Sequence, residues 1–129
     1  MLLVYLVALL ALLLYFGTTL YCGRARMKYG VQAPAVVGHP DFERAYRVQQ
    51  NTLEQLVPFL PSLFLFAELV NSVGAVVLGA TWLAGRLMYA VGYVQAAEKR
   101  AAGFVISFVA SQILLIGSMG GLVIKFIQG

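Results

Sequence analysis

Arg44, Arg47, Asn51 and Glu54 are separated by three, four and three positions. That spacing places them along one face of an α-helix. Farther along, Arg86, Tyr89, Tyr93 and Arg100 follow at intervals of three, four and seven and form a second stripe. Guanidinium groups bind carboxylates and phosphates, a carboxylate binds an ammonium, and amide and phenol groups add hydrogen bonds. Two such stripes facing each other make a pocket suited to a small polar anion. Other chemistry has less to draw on. His39 is the only histidine and Cys22 the only cysteine, so the expectation is no metal site, no disulfide and no haem attachment. Cys22 reads as a packed thiol. No glycine-rich phosphate loop and no Ser-His-Asp order is present.

These polar groups are set in a chain of 129 residues that is 61% hydrophobic and only 11% charged. A soluble domain of this size could not cover so much apolar surface, so the class is an all-α integral membrane protein with one domain spanning residues 1–129. Four segments are long enough to cross: about 2–22, 42–69, 72–95 and 102–127. A four-transmembrane-helix bundle follows. The net charge of +4 is too small and too divided to suggest nucleic acid. Arg24, Arg26, Lys28, Arg44, Lys99 and Arg100 fall on or beside the first and third connections, with only Lys125 on the opposite side. The positive-inside rule puts both of those connections in the cytoplasm. The first segment lacks a basic leader and a small residue before a cleavage point, so it reads as a retained span. Short loops favour a bacterial inner membrane, with the endoplasmic reticulum as the alternative.

Asp41 is expected to cap the second helix, and Pro58 and Pro61 to be carried inside it, as membrane bundles allow. Gly117, Gly120 and Gly121 predict close helix packing, and Trp82 faces lipid or packs inside. An ionisable residue deep in a span costs roughly 2.5–3.5 kcal/mol on insertion scales. Arg86 is therefore expected to pair with Glu54. For Arg86 the sequence permits two roles, an anchor that holds helices together or a member of the pocket.

The two stretches that carry the stripes, "FERAYRVQQNTLE" and "AGRLMYAVGYVQAAEKR", resemble the family of membrane-associated proteins in eicosanoid and glutathione metabolism (MAPEG). The resemblance runs from Arg24 to the end. It is nearest the branch with microsomal glutathione transferases two and three and the leukotriene-C synthase. It implies a homotrimer with glutathione sites at the subunit boundaries. By motif position, Arg47, Asn51, Glu54, Tyr89 and Tyr93 would hold glutathione, Arg26 and Gln49 would reach it from the neighbouring subunit, and Arg100 would face the sulfur as the catalytic residue. The implied activity is conjugation of the glutathione thiolate to lipophilic electrophiles dissolved in membrane lipid, with reduction of lipid hydroperoxides as a second use of the same thiolate. Met27 replaces the second arginine, and Gln55 a tyrosine, of the leukotriene-forming members, which points to a generic conjugating activity. The alternative within the family is a non-enzymatic, lipid-presenting protein like the five-lipoxygenase-activating protein. That member lacks the arginines matching Arg47 and Arg100.

Overall fold

The computed structural model describes residues Met1–Gly129. It consists of α1 (Leu2–Tyr29), α2 (Pro40–Leu69), α3 (Ser72–Gln95), one 3-10 turn (Ala97–Arg100) and α4 (Ala101–Gln128). All four long helices are apolar and long enough to cross a membrane. α1 continues about two turns beyond the expected end at residue 22. Arg24, Ala25, Arg26, Met27 and Lys28 are good helix formers, and Arg26 and Lys28 complement the negative end of the helix dipole. Gly30 stops it with a left-handed φ of 68°, a conformation that glycine adopts without steric cost. At 1.5 Å per residue, 28 residues reach about 42 Å, more than the roughly 30 Å of hydrocarbon. The basic last turns of α1 therefore stand clear of the bilayer core.

The start of α2 corrects the expected cap. His39, not Asp41, is the capping residue: its Nδ1 accepts the backbone N–H of Asp41 at 3.1 Å. Pro40 takes the first helical position, where its missing N–H costs nothing. Asp41, freed from capping, accepts from the Tyr29 hydroxyl at 3.2 Å and pairs with Arg44. The His39 ring stacks on Tyr29 at 4.0 Å, so the connection between α1 and α2 is pinned at its end. α2 runs unbroken through Pro58 and Pro61. Asn71 caps α3, accepting the Gly74 N–H at 2.8 Å.

The interior is built of small and inward-turned groups, and much of the bulk faces out. Leu13, Leu20 and Phe16 of α1 and Ile116 and Val123 of α4 are exposed, whereas Ala8, Ala11, Ala110, Ser107 and Ser111 are buried. This distribution suits helices packed in lipid, where small residues let backbones approach. Trp82 is fully buried and stacks on Phe59 at 3.9 Å with rings 7° from parallel. Of the three late glycines, a Cβ on Gly117 would run into the Phe66 ring and one on Gly121 into Val70 and the Leu69 carbonyl, while one on Gly120 would point into open space.

A backbone-to-backbone approach of α3 against α4 rests on two glycines outside that group. A Cβ on Gly85 would lie 2.7 Å from the Ser107 nitrogen, and one on Gly103 would collide with the backbone of Tyr89 and the Gly85 carbonyl. This contact fixes the start of α4 against the turn of α3 that carries Tyr89. Gly103→Val is expected to force the helices apart and to lower stability by at least the roughly 1–3 kcal/mol typical of overpacking. Thermal unfolding in detergent would show it as a lower melting temperature, and an unchanged melt would contradict the contact.

Candidate functional site

One face of α2 carries Glu43, Tyr46, Arg47, Gln50, Asn51 and Glu54 to a common cavity. Their spacing of three and four is the helical repeat. Tyr89 and Tyr93 of α3 line the opposite wall, Arg100 enters from the 3-10 turn, and Val36 and Val37 of the α1–α2 connection close the rim. The cavity holds about 570 Å³, within the roughly 300–1,000 Å³ usual for small-molecule sites. The two tyrosines meet edge to face at 5.5 Å, and the Arg100 guanidinium lies 5.3 Å from the Tyr93 ring. The Arg100 Nη1 donates to the Ala97 carbonyl at 2.6 Å, which leaves most of its donors free.

Arg47 and Glu54, though one chain places both at the cavity, have no intrachain ion pair; the sole ion pair of the chain is Arg44–Asp41. Both are exposed. Glu54 is fourteen residues into α2, about 21 Å along the axis at 1.5 Å per residue. An unpaired carboxylate at that depth needs a partner or a wet chamber. Glu43 is engaged at the rim, where its Oε2 accepts the Gly38 N–H at 3.3 Å.

Six of the eight residues assigned from sequence (Arg47, Asn51, Glu54, Tyr89, Tyr93 and Arg100) meet in this cavity. Arg26 and Gln49 do not line it. Arg26 donates to the Ala35 carbonyl at 2.7 Å and sits 4.7 Å over the Phe42 ring. Gln49 turns to α1, its Nε2 donating to Thr19 Oγ1 at 3.2 Å. They are the two that the resemblance assigned to a neighbouring subunit. Cys22 is buried beside Ala25, Phe42 and Ala45, away from the cavity.

Arg86 departs from its expected pairing with Glu54. Its guanidinium is fully buried and reaches Asn51 Oδ1 at 2.9 Å and Thr52 Oγ1 at 2.8 Å, with the Tyr89 ring 4.1 Å away. Thr52 points inward and offers a neutral acceptor, whereas Glu54 lies on the cavity side. Sequence reasoning missed Thr52, and it missed Glu43, Tyr46 and Gln50. The last three were detectable, because residues 43, 46, 47, 50, 51 and 54 recur at three- and four-residue spacing along one helical stripe. Val36 and Val37 come from an irregular connection and had no periodicity to reveal them.

Four helices long and apolar enough to cross a membrane, with a charged cavity between α2 and α3 at the basic end, point to a multi-pass integral membrane protein. Residues 2–120 match the family described as the MAPEG family. The chain belongs to that family. It is 53% identical over 114 residues to the uncharacterized protein sll1147 of Synechocystis, covering 88% of this chain and 83% of that one. It is 41% identical over 107 residues to human microsomal glutathione S-transferase 2, covering 82% and 71%. Against guinea pig (Cavia porcellus) leukotriene C4 synthase the identity is 35% over 121 residues, covering 94% and 81%.

Proposed function

We propose that the chain is a membrane-bound glutathione transferase that works as a homotrimer of four-helix subunits. The convergence of Arg47, Asn51, Glu54, Tyr89, Tyr93 and Arg100 on one cavity carries this reading. Glutathione bears two carboxylates and an ammonium, and the cavity offers both signs. Arg47 takes a carboxylate through its fork of donors, and Glu54 takes the ammonium. Asn51 and the two phenols hold the peptide between them. The name of the human transferase relative supports the same ligand.

Arg100 stands at the sulfur. A free thiol with a pKa of about 8.5 is mostly protonated at neutral pH. Guanidinium cannot take that proton, so it passes to water, and Arg100 favours the thiolate left behind by charge alone. The thiolate forms a C–S bond with an electrophile entering from lipid, and the leaving group departs with the electron pair of the broken bond. With a lipid hydroperoxide, the sulfur takes the outer oxygen and releases an alcohol. A second glutathione then yields the disulfide and water.

Arg47, Glu54 and Arg100 are open to the outside of a single chain, which in a membrane is an unstable arrangement. Adjacent copies cover that opening in the trimer and bring Arg26 and Gln49 to it. The excess of basic residues at this end orients the cavity to the cytoplasm.

Purified protein in detergent, given glutathione and a chlorodinitrobenzene, is expected to bind the tripeptide and form the aryl conjugate with release of chloride. Absence of both binding and conjugate would remove the glutathione reading.

A further inference from the structure

Arg86 is the one basic side chain in the protein with no solvent exposure. No carboxylate lies within ion-pair distance of it, and it does not line the cavity. Two of the residues it touches do. Its Nη1 donates to Asn51 Oδ1 at 2.9 Å, and its guanidinium lies 4.1 Å from the ring of Tyr89. Arginine has donors and no acceptor, so it can face only the oxygen of an amide. With Oδ1 occupied, Asn51 has its NH2 group left for the cavity. Thr52 fixes the guanidinium in turn: its hydroxyl donates to the Val48 carbonyl at 2.7 Å and accepts from Arg86 Nη2 at 2.8 Å. The hydroxyl is therefore committed in both directions, and the arginine has one seat.

We propose that Arg86 is a positioning residue that makes Asn51 an obligate hydrogen-bond donor, and so selects ligands that present a carboxylate or carbonyl oxygen at that point of the cavity. The identity of the ligand rests on the glutathione reading; the selection by acceptor chemistry goes beyond it. A residue that merely tied α2 to α3 would be indifferent to which end of the amide faced the ligand. Here the orientation is the function.

Asn51→Asp separates the two roles. It keeps the shape and gives Arg86 a charged acceptor, but it turns an oxygen rather than an NH2 toward the ligand. The full-length protein is therefore expected to melt at or above the parent temperature and to bind glutathione roughly tenfold or more weakly, the scale of one charge-assisted hydrogen bond lost. A second comparison reads the arginine itself. Arg86→Gln can donate or accept, so it releases the Asn51 amide, whereas Arg86→Lys offers only donors. Arg86→Lys should bind glutathione more tightly than Arg86→Gln, and Asn51→Ala should bind no more tightly than Asn51→Ala combined with Arg86→Gln. Additive losses in that double variant, or Asn51→Asp binding at parent strength, would overturn the proposal while leaving the glutathione reading intact. Failure of the parent protein to bind glutathione would overturn both. If Arg86→Gln does not fold in detergent, the melting and binding of Asn51→Asp decide the question alone.

Discussion

Replacing Arg100 by alanine is expected to leave glutathione bound and to abolish most of its thiolate. The residue sits at the cavity mouth against Tyr93 with most of its donors uncommitted, so its loss removes a charge without opening the core. An opposite charge within a few ångströms shifts an ionisation by on the order of one to two pKa units, and each unit is a factor of ten in the equilibrium. Turnover at pH 7 should then fall roughly 8- to 25-fold, with a much smaller change in the glutathione dissociation constant. The sign of the pH dependence is fixed. Without the cation the thiol ionises at higher pH, closer to the free value of about 8.5. The deficit is therefore largest at and below neutral pH and shrinks as the pH approaches 9 or so. A pH–rate profile with parallel parent and variant curves would contradict the role of Arg100.

Arg47→Ala should show the reverse division. Arg47 lines the cavity and has no intrachain carboxylate partner, so its donors are available to a ligand carboxylate. Losing a hydrogen bond to a charged group costs about 1.5–3 kcal/mol, roughly a 10- to 150-fold weaker dissociation constant. Turnover at saturating glutathione should change less, because the interaction is present before and during reaction. Arg47→Lys should recover only part of the affinity, since an ammonium keeps the charge but not the planar fork. Calorimetric titration of the three proteins measures this directly, and equal affinities would take Arg47 out of the site.

Much of this arrangement was legible from spacing alone. Arg47, Asn51 and Glu54 share a helix face wherever the helix begins, and Tyr89 and Tyr93 are four apart on the next wall. The four spans follow from apolar length. Spacing on one helix does not determine which turn of another it meets, so spacing alone could not show that Glu54 is not the partner of Arg86. Asn51 and Glu54 both lie near its level in the sequence pattern, and only the packing shows that Asn51 and Thr52 receive it. The cap of α2 differs from the expectation for a local reason: Asp41 is the commoner capping type, but Pro40 at the first position moves the helix start back to His39. The α3–α4 contact through Gly85 and Gly103 had no legible signal, because glycines fourteen or more residues from any partner look alike until the helices are docked.

If the cavity holds glutathione as a thiolate by charge, binding must expel the thiol proton. Proton release on binding tests this most directly. Calorimetry of glutathione binding at neutral pH, repeated in buffers of different ionisation enthalpy, counts the protons set free. A thiol that is mostly protonated in solution, with a free pKa of about 8.5, and shifted down by one to two units in the cavity should release roughly 0.2–0.7 of a proton per site at pH 7. Tight binding with no proton released would mean that the guanidinium groups grip the peptide and leave its sulfur inert.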